Sequence, residues 1–188
     1  MGRTGKALIL VVLCVPAVAR ALPLGGVIHF SGVGGKNLPA FRVVRPSTLY
    51  WRAAGHTFQL SSSLSAGDIG SEAASGWTFL AAGRYQYTVG AKGSWSIRVT
   101  AGVVSPKRVA SGYLGYSGSG SMELPPIAIK RTTKLIWTAN QGGIFQLASP
   151  TRGSVTAQQK RAGSTRLTPG IYRYTVDATG PWTIKWKP

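Results

Sequence analysis

The chain is poor in the two kinds of residue on which protein chemistry most often depends, cysteines and acids. Its 188 residues include one cysteine, Cys14, and four Asp or Glu against 22 Lys or Arg. Cys14 lies in an apolar N-terminal run, so the remainder has no disulfide, no thiolate metal ligand and no thiol nucleophile. Stability must therefore come from apolar packing, and carboxylate chemistry has few candidate residues.

The few groups that could move protons or hold a metal follow no recognised motif. Asp68 and Glu72 are the one local pair of acids, and a glycosidase-type mechanism needs two acids across a cleft. A serine of 61–63 with His56 and Asp68 could form a Ser-His-Asp arrangement, but no nucleophile-elbow motif supports it. His29, His56 and the acids lack a zinc-ligand spacing. We therefore expect no enzyme activity, no catalytic residue, no metal and no cofactor.

The N-terminus has the pattern of a signal peptide. Arg3 and Lys6 precede an apolar run over 7–19, which is shorter than the ~20 residues that a bilayer span requires. Small residues predict cleavage before Leu22, with a second site at 17–19 as the alternative. A transmembrane anchor is the competing interpretation, but the short run favours a secreted protein, extracellular or in the periplasm and cell envelope.

The charge balance indicates what kind of partner the chain would attract. Without the signal peptide, 19 Lys or Arg remain against four acids, a net charge of about +15. Such a field favours polyanions, so anionic envelope polysaccharide or an anionic membrane surface are the expected partners. The alternative is a skewed composition without functional meaning. Nucleic acid would bind weakly and salt-sensitively in vitro, but secretion argues against it as a physiological partner.

One stretch occurs twice. Residues 83–99 and 170–186 are identical at nine of 17 positions, without a gap. In both copies apolar and polar residues alternate, break at a glycine-containing connector and alternate again, which predicts a half-buried β-hairpin. The similarity continues upstream, where 30–41 matches 116–127. The sequence therefore predicts a tandem duplication.

Short alternating segments separated by Gly, Pro and Ser, without helical periodicity, predict an all-β chain. We expect two tandem Ig-like or jelly-roll-type antiparallel β-sandwich repeats of about seven strands each. The predicted segments are a signal peptide at 1–21, repeat 1 at 22–101, a linker at 102–111 and repeat 2 at 112–188. One larger sandwich with a shared core is the alternative. Four tryptophans at inward positions are expected in the core: Trp51, Trp95, Trp137 and Trp182.

An aromatic pair distinguishes the first copy. Trp77 and Phe79 align with Ser164 and Arg166 of the second copy. Alternation around Leu80 places both aromatic residues on the opposite side from it, where they could stack on a sugar ring or contact a partner. Packing against the neighbouring domain or a loop is the alternative.

A basic cluster distinguishes the second copy. The predicted hairpin sets Arg173 directly opposite Lys185, and like charges at such a pair are destabilising. A bound polyanion would offset the repulsion. Together with Lys187, Lys130 and Arg131, these residues are a candidate anion-binding surface, the alternative being a solvated basic face.

The repeated phrase Gly-x-Tyr-x-Tyr-x-Val, followed by Gly-x-Trp-x-Ile and preceded by Phe-x-Leu, occurs in both copies. It resembles small β-sandwich modules of secreted bacterial proteins, in particular the pre-peptidase C-terminal type. The resemblance rests on packing residues and implies a non-catalytic appendage. The Asp-rich motif of those modules is missing, so no calcium site is expected.

These observations favour a secreted, non-catalytic protein that associates electrostatically with an anionic polymer of the envelope or the extracellular space. A carbohydrate-binding module that uses its exposed aromatic residues is the second hypothesis. A purely structural envelope protein is the third.

Overall fold

The computed structural model describes residues 20–21, 26–55, 58–62, 74–139, 145–149, 154–158 and 162–188. These residues form β-strands and one 3-10 turn at Ala110–Gly112, which confirms the prediction of an all-β chain. In the described ranges no helix has the length and apolar character needed to cross a bilayer. Residues 1–19 of the predicted signal peptide lie outside the described residues, and the signal peptide stays a prediction.

The first half of the chain contains two sets of strands. Their bounds are β1 (Arg20–Ala21), β2 (Val27–Val33), β3 (Lys36–Asn37), β4 (Phe41–Val43), β5 (Ser47–Ala53), β6 (Phe58–Ser62), β7 (Ser75–Leu80), β8 (Gly83–Tyr85), β9 (Tyr87–Ala91) and β10 (Ser94–Ala101). One sheet has the order β2-β10-β5-β7. The other strands form the sheets β3-β9-β6 and β1-β4-β8, which are linked because β3 precedes β4 and β8 precedes β9.

The second half shows the same order. Its strands are β11 (Lys107–Val109), β12 (Tyr113–Ser119), β13 (Met122–Glu123), β14 (Ile127–Ile129), β15 (Thr133–Ala139), β16 (Phe145–Ser149), β17 (Ser154–Gln158), β18 (Ala162–Leu167), β19 (Gly170–Tyr172), β20 (Thr175–Ala178) and β21 (Pro181–Trp186). The sheet β12-β21-β15-β18 corresponds to β2-β10-β5-β7, with β11 added at its edge. The sheets β13-β20-β16-β17 and β14-β19 correspond to the remaining strands. The stretch predicted as a linker thus contributes a short strand, β11.

The core lies between the sheets of each half. Rings from opposed sheets touch, with 5.6 Å between the centroids of Phe30 and Phe41 and 6.1 Å between those of Trp51 and Phe58. The inward positions that alternation predicts are buried in both halves, apart from Tyr85, which is half-buried. Burial of aliphatic and aromatic surface is the main favourable term available to a fold that has no disulfide among its strands.

Each of the four core tryptophans packs over a glycine on the neighbouring strand. The pairs in register are Trp51 with Gly76, Trp95 with Gly32, Trp137 with Gly163 and Trp182 with Gly118. A Cβ atom at Gly32 would lie 2.6 Å from Cζ2 of Trp95, and one at Gly118 would lie 2.7 Å from Cζ2 of Trp182. These glycines are therefore required so that the indole rings can lie flat against the adjacent backbone.

Two of the indoles are also tied by hydrogen bonds. Trp95 donates from Nε1 to the carbonyl oxygen of Gly34 at 2.8 Å, and Trp182 donates to that of Gly120 at 3.0 Å. Gly34 and Gly120 have φ values of 70° and 76°, in the left-handed region that favours glycine. The glycine pattern at 32–34 and its copy at 118–120 thus serve the tryptophans.

The prediction of a β-hairpin was wrong in both copies. β9 pairs with β3 and β6, whereas β10 pairs with β2 and β5, so the two strands lie in different sheets. β20 and β21 are separated in the same way. The short connector crosses from one layer to the other instead of reversing within a sheet. Alternation could not distinguish the two cases because either one buries the same side chains.

The two halves contact each other along β7. The ring of Trp77 lies 5.8 Å from that of Tyr116 on β12, measured between centroids. The backbone N–H of Glu123 on β13 donates to the Thr78 hydroxyl at 2.9 Å. Buried apolar residues of both halves belong to one continuous cluster. The division at 102–111 into independently folding units stays a prediction.

Substitution of Gly32 by alanine tests the tryptophan–glycine packing. We expect Gly32→Ala to lower the free energy of unfolding by about 1–3 kcal/mol, because the added methyl group overlaps the Trp95 ring. The matched control is Gly90→Ala on an exposed position of β9, where the nearest atom would lie 3.8 Å away. Urea denaturation of both variants measures the difference. Equal midpoints for the two variants would contradict the packing argument.

Candidate functional site

Three of the five predicted anion-binding cations meet at one groove. Lys130, Arg131 and Lys187 are exposed and line a cavity of about 310 Å³ in the second half. Its remaining wall is largely apolar and includes Leu114 and Trp186. We call this cavity the C-terminal groove. Its cationic rim around an apolar floor suits an anionic ligand that also presents apolar surface.

Hydrogen bonds to the last residues hold the rim of the C-terminal groove in place. The guanidinium of Arg131 donates to the backbone oxygen of Pro188 from Nε at 3.2 Å and from Nη2 at 2.8 Å. The hydroxyl of Thr133 donates to the backbone oxygen of Lys187 at 2.9 Å. These bonds hold the Arg131 side chain and the backbone of Lys187 next to each other at the rim.

The other two predicted cations, Arg173 and Lys185, do not line this groove and do not pair with each other. Lys185 on β21 pairs in register with Gly115 and Ile136, and its ammonium lies 5.6 Å from the centroid of the Tyr113 ring. The expectation that Arg173 opposes Lys185 was therefore wrong, because it rested on the hairpin. Arg173 lies near Glu123 instead. Desolvation raises the pKa of Glu123 and the Arg173 charge lowers it, and the net result is a raised pKa. The Glu123 side chain nevertheless remains solvent-accessible.

A directly opposed pair of like charges occurs in the first half instead. Arg42 on β4 pairs in register with Arg84 on β8, and both side chains are exposed. The corresponding pair in the second half is Ala128 with Ile171. Like charges opposite each other on antiparallel strands are destabilising. The repulsion that the sequence suggested for the second half thus belongs to a different strand pair.

The predicted aromatic pair does not form a joint platform. Phe79 is 8% exposed and is not available to a ligand. Trp77 is half-buried, and it contacts Tyr116 of the second half. β7 lies alongside β12 and β13, which explains the burial of its last residues, Thr78 to Leu80. Of the two aromatic residues, Trp77 borders open space and Phe79 does not.

The open space beside Trp77 is a cavity of about 610 Å³ on the outward side of the sheet β2-β10-β5-β7. One row of side chains crosses this sheet in register, from His29 through Arg98 and Tyr50 to Trp77. A second row next to it contains Ser96, Arg52 and Ser75. We call this cavity the outer groove and define it by these two rows.

Sequence reasoning missed Tyr50, Arg52 and Arg98 as candidate site residues. Alternation already sets all three outward, opposite to the buried Trp51 and Ile97. The signal that could have revealed them is the difference between the copies, because Tyr50 aligns with Ile136 and Trp77 with Ser164. What alternation lacked was the strand order that brings these distant positions into one row.

The groups considered for catalysis are mostly not described. His56, Asp68 and Glu72 lie outside the described residues, and His29 is exposed on β2 at the end of the first row. Among the residues that are described, no three His, Cys, Asp or Glu come together as a metal site would require. Asp177 accepts a hydrogen bond from the Ser121 hydroxyl at 2.6 Å.

Comparisons with known proteins show distant structural likenesses. No family model and no curated protein sequence matches the chain. It is similar to a cupin 2 conserved barrel domain protein from Leptotrichia buccalis, with 12% identity, TM-score 0.29 and coverage of 88% of this chain and 84% of that one. It is similar to AerE from Microcystis aeruginosa, with 7% identity, TM-score 0.30 and 85% coverage of each chain.

A third solved structure is a DUF861-family protein of unknown function from Pseudomonas syringae pv. tomato str. DC3000. Its identity is 13% and its TM-score 0.25, and the match covers 86% of this chain and 80% of that one. TM-scores of this size carry no inference about the arrangement of strands or the function. The resemblance to pre-peptidase C-terminal modules stays a prediction.

Tyr116, which joins the interface between the halves to the C-terminal groove, gives a pH-dependent test of this packing. Burial raises the pKa of its hydroxyl from 10.0 to about 12. Between pH 10 and 12 the unfolded chain releases a proton that the folded chain retains, so stability is full below pH 10 and falls as the pH rises. We expect Tyr116→Phe to reduce this loss by roughly 1 kcal/mol at pH 12.

Urea denaturation across that pH range measures the effect. Other tyrosines whose pKa is raised by burial, the half-buried Tyr85 and the buried Tyr87, remain in both proteins and contribute equally. If the free energy of unfolding fell equally in wild type and Tyr116→Phe between pH 10 and 12, Tyr116 would be solvated and the interface between the halves would be open.

Proposed function

We propose that this protein is a secreted, non-catalytic binding protein of two tandem β-sandwich modules, which associates through its cations with an anionic polysaccharide of the cell envelope or extracellular space. The observation that carries the proposal is the state of the basic residues. All 16 Lys and Arg whose side chains are described are exposed, whereas Glu123 and Asp177 are the only acids among the residues that the structure describes.

The acids that are described cannot neutralise this surface. Glu123 and Asp177 both belong to the second half, and Asp177 is engaged by Ser121. The cations are distributed over both halves, from Arg42 and Arg84 in the first to the rim of the C-terminal groove in the second. An extended polyanion can contact several such positions at once, and this multivalency raises its overall affinity.

The modular part of the proposal rests on the matched strand orders. The two halves have the same order of strands. Each half also contains two tryptophan–glycine pairs, at matching positions. A duplicated packing scheme explains both repeats with one ancestral unit. Two linked modules would present two cationic surfaces to the same polymer, as expected of a non-catalytic binding protein.

Neutralising the C-terminal groove tests the proposal. We expect Lys130→Gln/Lys187→Gln to weaken binding of polygalacturonate, a carboxylated polysaccharide, by about threefold to tenfold at low ionic strength, since two converging cations are lost. Isothermal titration calorimetry across a salt series measures the affinity, which should fall as salt screens the surface.

The matched control is Lys36→Gln/Lys92→Gln, which removes the same charge from exposed positions of the first half. A smaller loss in the control supports a contribution from the C-terminal groove beyond net charge. Equal losses of affinity in the two variants would mean that the groove acts only as part of a uniform basic surface. Absence of wild-type binding to polygalacturonate, alginate and polyphosphate at every salt concentration would overturn the proposed function.

A further inference from the structure

We propose that the outer groove of the first half is a specific site for a polysaccharide whose sugars carry carboxylates. The inference rests on the proposed function, because it names the polymer class and the place where a stretch of it is recognised. The groove has a volume of about 610 Å³, within the range of pockets that hold small organic ligands. The argument depends on three side chains: Arg98, Tyr50 and Trp77.

Arg98 is positioned to receive an anion. Its guanidinium lies 5.1 Å from the centroid of the Tyr50 ring, a cation–π contact between directly opposed residues of β10 and β5. The ring packs against the guanidinium, and no hydrogen bond joins the N–H groups of Arg98 to another residue that the structure describes. The other in-register neighbour of Arg98 is His29, so no carboxylate of the described residues occupies the positions beside it in the sheet. A ligand carboxylate can therefore bind the guanidinium bidentately without displacing a partner among the described residues.

A second guanidinium lies on the next row. Arg52 is exposed on β5, two residues beyond Tyr50, and is thus a diagonal neighbour of Arg98 on the same face. Its in-register neighbours are Ser96 and Ser75, which are small and carry hydroxyls. Together these residues provide a floor with hydrogen-bonding groups next to two cations. Sugar hydroxyls are suitable partners for such a surface.

Trp77 supplies an apolar wall that is fixed in place. The interface between the halves holds its ring against Tyr116, at 5.8 Å between centroids, while part of the side chain stays exposed to the groove. A wall that is already ordered loses little conformational entropy when a ligand binds. The C–H face of a sugar ring can pack on such an indole, while the carboxylate of the same unit reaches the arginines.

The second half serves as an internal control for this argument. The equivalent row there is Gly115, Lys185, Ile136 and Ser164, in the same register. This row contains no aromatic residue and no arginine, and the ring that Lys185 contacts is that of Tyr113 outside the row, although the tryptophan–glycine packing beneath is the same. The fold therefore does not require the aromatic and guanidinium groups of the first half. They are free to serve recognition.

The arrangement favours a saccharide over a single-stranded nucleic acid. In proteins that bind single-stranded nucleic acid, successive bases stack on the faces of aromatic rings. Arg98 covers the Tyr50 ring, which leaves Trp77 as the single open Tyr or Trp ring in the two rows of the groove; one ring can hold one sugar but not the succession of bases that a single strand presents. Guanidinium and hydroxyl groups in alternation match carboxylates and hydroxyls better.

The decisive variant is Tyr50→Ile/Arg98→Lys, which introduces the residues of the second half and keeps the net charge. At about 0.15 M salt, where distant surface charges are screened, we expect polygalacturonate oligomers to bind it at least about tenfold more weakly than wild type. Fully methyl-esterified oligomers keep the sugar and lose the carboxylate charge. The wild type should bind them about as weakly as the double variant binds the charged oligomers. Binding of polyphosphate at low salt should not change, because the number of cations is the same.

The control for folding is the single variant Arg98→Lys at an exposed strand position, which should weaken oligomer binding severalfold on its own. Undiminished binding of the oligomers by the double variant would overturn the inference and leave the proposed function intact. Oligo-dT that binds as tightly as polygalacturonate and loses affinity in the same variant would assign the groove to nucleic acid instead. Failure of the wild type to bind any polyanion would overturn both proposals.

Discussion

The packing of an indole ring over a glycine on the adjacent strand is the constraint on which this fold depends. The chain has no disulfide among its strands, so its largest apolar side chains must be buried efficiently. A tryptophan inside a thin β-sheet layer needs room that a neighbouring Cβ would occupy, as Gly32 beneath Trp95 shows. Each pair also fixes strand register, because a slip of one residue would bring a side chain against the ring.

The same constraint acts on the inward residues of the sheets and leaves the outward residues free to differ. Inward residues stay apolar in both halves, and the tryptophan–glycine pairs recur at the same places. Outward residues face no such requirement. Arg98, Tyr50 and Trp77 in the first half therefore differ from Lys185, Ile136 and Ser164 in the second without any change in strand order. One half has the features of a recognition surface, and the other retains the packing with a simpler exterior.

The sequence was sufficient for strands and faces but not for strand partners. Alternation and duplication predicted the all-β class and the burial of residues such as Trp95 and Trp182. They could not reveal that β9 and β10 lie in different layers, so the opposition of Arg173 and Lys185 was wrong. The outer groove was also out of reach, because its rows join strands far apart in the sequence. Pairing across long separations is determined by the tertiary fold and has no local signature.

The central claim is that recognition resides in the outward row of the first half and not in the shared packing or in net charge alone. Amide chemical-shift mapping by NMR, with a polygalacturonate oligomer at about 0.15 M salt, tests it most directly. The claim predicts that the largest shifts fall at the outer groove, around Tyr50, Trp77 and Arg98. Shifts of equal size at Ile136 and Lys185, or shifts spread evenly over all exposed cations, would contradict it.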